Sequence, residues 1–328
     1  MILFTERACH AYADRDSHPG CRTGASLTEG QHVTTRGQDG ATTGGPTVLR
    51  MLLGAHLRRL REECGVSRED AGFKIRSSES KISRMELGRV SFKQRDVADL
   101  LTLYGLDTGE ERQRLLALAR NANTAGWWHR YSDVLPSWFQ SYVGLEAAAA
   151  AIRGYEVQFV PGLLQTRDYA RAVVTLGHRH ASEQEIEHRV NLRMDRQQIL
   201  SRPEPPQVWV VIDEGALRRP VGGTKVMCAQ IEALAAAAEL PQVRLQVIPF
   251  RAGGHAGAGG SFSILRFADP ELPDVVYIEQ LTGALYLDKP DDVEPYASAI
   301  EVLCVKAEPP DRTHQVLEAI LADLDTPD

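Results

Sequence analysis

Apolar positions keep helical spacing through residues 48–121, with polar and charged side chains between them. Between Val48 and Cys64, Leu53, Leu57 and Leu60 share one face, while Arg58, Arg59, Arg61, Glu62 and Glu63 occupy the others. Gly65 ends that helix. From Gly65 to Gly88 (GVSREDAGFKIRSSESKISRMELG), Val66, Ala71, Ile75, Ile82 and Met85 keep the spacing with a break at Arg76–Ser77. The pattern predicts two short helices joined by a tight turn, closed by Gly88. Ser67 precedes Glu69 and Asp70, and Ser78 precedes Glu79, so each helix opens with a hydroxyl cap and an early acid. Gly72 supplies the small residue where the two must approach. A helix over Asp96–Tyr104 buries Val97, Leu100, Leu101 and Tyr104, Gly105 stops it, and Gly109–Asn121 continues as a fifth.

The pattern then becomes mixed. Trp138 to Tyr155, Asp168 to Leu176 and Ser182 to Leu200 read as helices, and Pro203 to Pro206 interrupt. Beyond them Val208–Ile212, Val243–Pro249, Ser261–Phe267, Val275–Gln280 and Ala284–Leu287 read as strands. An alanine-rich helix spans Lys225–Glu239, and helices over Val293–Ala307 and Arg312–Leu324 close the chain. The expected architecture is mainly α with α+β: an all-α helix-turn-helix domain over 48–122, an α+β domain over 126–322, and a tail over 323–328. Residues 1–46 have almost no periodic apolar positions and are expected to be disordered or non-native, with translation beginning near Met51 as the alternative.

Composition narrows the class. The 328 residues hold material for about two domains. No run approaches the roughly 20 apolar residues of a membrane span. The opening apolar run is only Ile2 to Phe4, shorter than the about 7–15 residues of a secretory core, so the expected location is the cytoplasm. Cys9, Cys21, Cys64, Cys228 and Cys304 are scattered, which fits reduced thiols. The histidines are dispersed without ligand spacing, so neither a metal nor a cofactor is expected. The net charge of −7 divides unevenly: 51–105 carries 11 Lys and Arg against 8 Asp and Glu, giving +3, and the remainder carries −10. The small domain is therefore the candidate for phosphate contact.

On the second motif helix Glu79, Ser80, Lys81, Ser83 and Arg84 face outward. Short polar and basic side chains on such a helix suit base edges and phosphates of a major groove, so the expected partner is double-stranded DNA. A merely solvated surface helix is the plainer reading. The paired helices, the turn length and Gly72 favour DNA. Elsewhere, Trp127, Trp128 and Trp138 suit packing between domains, and Gly253–Gly260 (GGHAGAGG) lacks a phosphate-loop order and reads as a connector. Asp213, Glu214 and Glu279 fall at strand ends without a nucleophile or metal signature beside them. Hydrogen bonding or a partner such as Arg218 is expected there, and no catalytic residue is assigned. Arg189, Arg193 and Arg196 recur at helical spacing as a solvated face.

Arg58 to Gly88 resembles the lambda-repressor-like, Xre-family helix-turn-helix, whose S-x-S-x-I-S-R-x-E-x-G pattern stands here as Ser78, Ser80, Ile82, Ser83, Arg84, Glu86 and Gly88. The remainder resembles the uncharacterised C-terminal domain of actinobacterial antitoxin-like regulators. It carries Gly126-Trp127-Trp128, Val160–Thr166 (VPGLLQT), Tyr169-Ala170-Arg171, Arg193–Leu200 (RMDRQQIL), Asp213–Arg218 (DEGALR), Val247–Phe250 (VIPF) and Val276–Glu279 (VYIE). The resemblance spans roughly 48–322. It implies base readout by Glu79, Ser80 and Lys81, and phosphate or base contact by Arg68, Ser78, Ser83 and Arg84. It also implies a small partner protein encoded nearby. Since one such module makes few base contacts, a homodimer on a palindromic or repeated site is expected. The alternatives are a C-terminal domain that binds a metabolite and, less favoured, an enzyme domain fused to the motif. Two positions depart from the family: Arg76 stands where the turn usually has glycine, and Ser77 replaces an apolar residue. A left-handed Arg76 would cost about 1 kcal/mol or more.

Overall fold

The computed structural model describes residues 45–270 and 272–324. The expectations for residues 1–44 lie outside the described residues, as does the tail beyond 324.

Five helices come first: α1 (Pro46–Glu63), α2 (Arg68–Lys74), α3 (Glu79–Glu86), α4 (Gln94–Leu103) and α5 (Glu110–Asn121). Both serine caps form as expected. The Ser67 hydroxyl accepts from Asp70 N–H, and that of Ser78 accepts from Lys81 N–H. After α2, Arg76 adopts φ +54°, the one left-handed non-glycine among the described residues. Ser77 N–H then donates to Gly72 O at 2.8 Å and Arg76 N–H to Phe73 O at 3.0 Å, closing the orphan carbonyls of α2. Gly88 (φ +63°) does the same for α3. A Cβ on Gly72 would stand 2.9 Å from Ser77 O, so the small residue there admits the turn.

Helix α1 serves two cores. Leu53, Leu57 and Leu60 pack with Ala71, Ile75, Ile82, Met85, Val97 and Leu100. Val48, Met51 and Leu52, one to two turns earlier, join the core of the larger region. Its Thr47 lies so close to α6 (Ser137–Glu146) that a Cβ on Gly144 would strike the threonine side chain.

The larger region centres on six strands: β1 (Ala151–Glu156), β2 (Gln207–Asp213), β3 (Val243–Ile248), β4 (Phe262–Arg266), β5 (Val275–Gln280) and β6 (Gly283–Leu287). They lie in the order β3-β2-β1-β4-β5-β6. β1, β2 and β3 are parallel, and β4 to β6 run antiparallel. Between the parallel strands come α7 (Arg167–Gly177), α8 (Glu183–Gln197), α9 (Glu214–Arg218) and α10 (Thr224–Ala238); α11 (Pro290–Lys306) and α12 (Thr313–Leu324) follow the sheet. One face carries Ile152, Val210, Ile212, Leu245 and Tyr277 beneath α6, α10, α12 and the start of α1. The other carries Val211, Ile248, Ile264 and Val276 beneath Ile300 and Leu303 of α11. Covering both faces explains the uninterrupted apolar run of β2. The helical module followed by an α+β region is the fold class the patterns predict.

Two expectations are corrected. The helix expected over Trp138–Tyr155 ends at Glu146, and Ala151–Glu156 is the strand β1. The alanine run 147–150 carries no period, and β1 owes its state to distant partners, Gln207–Ile212 and Phe262–Arg266. The arginines of α8 are not a solvated face. Arg196 is buried and donates to both oxygens of buried Glu146 at 2.8 and 2.7 Å. Arg189 reaches Val134 O at 2.6 Å, and half-buried Arg193 donates to Gln165 Oε1 at 2.8 Å.

Candidate nucleic-acid interface

The inner side of α3 is fixed by Ile82 and Met85, each about 1% exposed, and by Glu86, whose carboxylate is buried. Arg61 Nε lies 2.5 Å from Glu86 Oε1, and Arg68 Nε lies 3.0 Å from Oε2. Arg61 also donates to Val66 O at 3.0 Å. One carboxylate thus ties α1, α2 and α3 together. The bond to Glu86 holds the Arg61 guanidinium above its ordinary pKa, against the opposing effect of burial. A Cβ on Gly54 of α1 would stand 2.5 Å from Glu86 O, so the two backbones touch there.

The expected contact residues divide by what already holds them. Ser78, Glu79, Ser80 and Arg84 are exposed, and Ser83 is half-buried. The Ser78 hydroxyl is engaged as the cap of α3, and Arg84 Nε leans on Ser80 O at 3.3 Å. Lys81 is placed differently: its Nζ sits 2.8 Å from the buried carboxylate of Asp96 on α4. A lysine so held reaches a base edge only by leaving that partner. Arg68, half-exposed, has Nε on Glu86, which sets the plane of its guanidinium beside the start of α2.

Asp96, Arg61 and Gly54 were not singled out from the sequence as parts of this surface, and Glu86 was named only as a position of the motif. Their signal was weak, because each partner lies 15 or more residues away along the chain. Phe73 is 87% exposed on α2 beside the Arg76–Ser77 turn, out of phase with the buried apolar positions. Arg89, just after α3, donates to Tyr286 O at 3.0 Å and lies 3.6 Å from Asp288. It thereby pins the end of α3 to the edge strand β6.

The other candidate groups are built into the larger region. Trp128 is buried with Tyr131, Val134, Leu135 and Val143, and Trp127 packs against that cluster. Trp138 packs against the main core. Gly257 of the glycine-rich stretch presses on the Tyr155 ring, where a Cβ would have no room. Asp213 caps Gly215 N–H, Glu214 pairs with Arg218 at 2.5 Å, and Glu279 accepts from Tyr277 OH at 3.0 Å. Arg218 is the arginine partner the sequence named. Burial pushes the Glu156 carboxyl up to about 7, the Ser261 hydroxyl opposing and the neighbouring Glu279 adding to it. Among the described residues no group of three or more His, Cys, Asp or Glu is placed to hold a metal ion. No described helix is long and apolar enough to cross a membrane. Cys64 and Cys304 are not in disulfides.

Residues 52–115 match a helix-turn-helix domain, which is the region of α1 to α5 that carries this surface. No curated protein and no solved structure matches the chain. Residues 139–319 match the domain of unknown function DUF5753, and these make up more than half of the chain. The chain therefore belongs to the DUF5753 family and carries a helix-turn-helix, DNA-binding domain ahead of its family domain.

Proposed function

We propose that this chain is a sequence-specific transcriptional regulator of the Xre type, acting in the cytoplasm. The observation that carries the reading is the exposed start of α3: a serine-capped helix presenting Glu79 and Ser80, with Arg84 one turn on, fixed from behind by buried Glu86. Glu79 can accept from cytosine N4, and Ser80 is permissive. Arg84, Ser83, Ser78 and Arg68 suit phosphates, which position the module without carrying sequence information. Lys81 orders the surface through Asp96 and donates to guanine where DNA draws it away.

One such module makes few base contacts, so the working species is a homodimer on a palindromic or repeated site. The α+β domain serves a small partner protein in an antitoxin-like arrangement, and it is not an enzyme. A metabolite-binding role for that domain is the second reading. Its support is Arg89, which joins the helix-turn-helix to the sheet edge and so gives the larger domain a mechanical hold on α3. Selection from a random duplex library with the full chain tests the proposal. Enrichment of two related half-sites is expected, and no enrichment at low salt overturns it.

A further inference from the structure

Helix α11 turns Val302 (46% exposed) and Val305 (85% exposed) away from the sheet it covers. Beside it, three side chains stand in register on neighbouring strands: Arg153 of β1 opposite Trp209 of β2, and Trp209 opposite Arg244 of β3. The two guanidinium carbons lie 5.0 and 4.6 Å from the indole centre. The ring is pinned, since Trp209 Nε1 donates to Gln246 Oε1 at 2.8 Å. Buried Gln246 in turn donates to Cys304 O and Glu308 O, at 3.0 and 2.9 Å, at the end of α11. Through Gln246 the ladder is tied to the end of the helix.

No described carboxylate pairs directly with this ladder, and the exposed Glu301 of α11 is the acid near the Cys304 thiol beside it. Among the described residues neither Arg153 nor Arg244 has a carboxylate within 4.0 Å, and Arg153 Nε is buried with no hydrogen-bond partner. The complementary charge stands at the other end of the same helix. Asp291, Asp292 and Glu294 are exposed in the first turns of α11 with no described cation within 4.0 Å. Positions 291, 294, 298, 302 and 305 recur at helical spacing and share one face. Turned antiparallel about Ser298, that face sets Asp291 of one copy against Val305 of another, beside the arginine ladder. The ladder and α11 lie on the opposite sheet face from the start of α1.

We infer that the chain pairs through α11 with a second copy across a two-fold axis, each acidic first turn lying on the Arg153–Trp209–Arg244 ladder of the other. The arrangement is isologous, as a closed dimer requires. It deepens the reading above, which needs a dimer but does not say where it forms.

Sedimentation velocity of the full chain over a concentration series tests it. The wild type is expected to dimerise. Arg153→Glu with Arg244→Glu, and separately Asp291→Lys with Asp292→Lys, should each weaken the dimer about tenfold or more. The four changes together should recover it. Val305→Glu, at an open position, should weaken it with an unchanged thermal melt. A monomeric wild type overturns the inference, even if the arginines bind polyglutamate or inorganic phosphate. So do charge-reversed proteins that dimerise like the wild type, or a fourfold variant that stays monomeric. Library selection separates the two proposals. A dimer indifferent to these changes that still enriches half-sites overturns only the interface, and a responsive dimer that enriches nothing overturns only the DNA-binding reading.

Discussion

The helix-turn-helix module and the α+β domain each bury a glutamate against arginine, with different results. Glu146 receives both its bonds from Arg196, which is equally buried and lies against the rings of Phe139 and Tyr142. Burial alone would pull that guanidinium's pKa down, but the Glu146 carboxylate outweighs it and raises it. Glu86 instead divides between buried Arg61 and half-exposed Arg68. One pair closes on itself inside a core, and the other leads from the core to the surface where phosphates would lie. The same chemistry therefore closes inside a core in one region and reaches the surface of the helix-turn-helix module in the other.

Removing one partner from each pair is the sharpest way to break the comparison. Glu146→Ala strands a buried guanidinium and should cost about 3–5 kcal/mol in urea unfolding. A loss under about 1 kcal/mol would mean that Arg196 finds water or another acceptor.

The next effect is a pH dependence confined to the larger domain. The folded Glu156 carboxyl titrates near 7 and the unfolded one in the usual range, so the folded state holds the extra proton between them. Stability should therefore fall as pH rises from about 4.5 to about 7, by roughly 1–2 kcal/mol after allowance for partial exposure. Glu156→Gln should flatten that slope and leave the protein more stable at pH 8. An unchanged slope would place the titrating group elsewhere.

The turn gives a smaller effect of opposite sign. Arg76→Gly relieves the left-handed strain and should raise the melting stability by about 0.5–1 kcal/mol, part of the relief being offset by glycine's greater unfolded-state entropy. A destabilised variant would show that the Arg76 side chain contributes more than its backbone costs.

The smallest stability change belongs to Arg68. Half-exposed, it should cost under about 1 kcal/mol on replacement by alanine. Yet Arg68→Ala should weaken binding to all duplexes alike and lower the salt slope by about one. If it instead altered base preference, the division between orienting and reading residues would be wrong.

The local features of the module were legible because they depend on neighbours in sequence. Ser67 and Ser78 cap residues three positions away and Gly72 meets the turn that follows it, while the strain at Arg76 was implied by the resemblance, which has glycine at that turn position. What escaped depends on distant partners. Lys81 looked free because Asp96 comes fifteen residues later on another helix. Arg196 looked solvated because its acid neighbours mimic a surface pattern, while its true partner, Glu146, lies fifty residues back. Ala151–Glu156 looked helical until β2 and β4 supplied its hydrogen bonds. The double membership of α1 was likewise hidden, since one heptad of leucines reads alike whichever core receives it.

The central claim is that the opening residues of α3 read duplex DNA, and base-preference profiles of the wild type and Glu79→Ala test it most directly. The account predicts that the wild type selects a defined half-site and that the substitution relaxes preference at one base position while the rest of the motif persists. Identical profiles for the two proteins would contradict it.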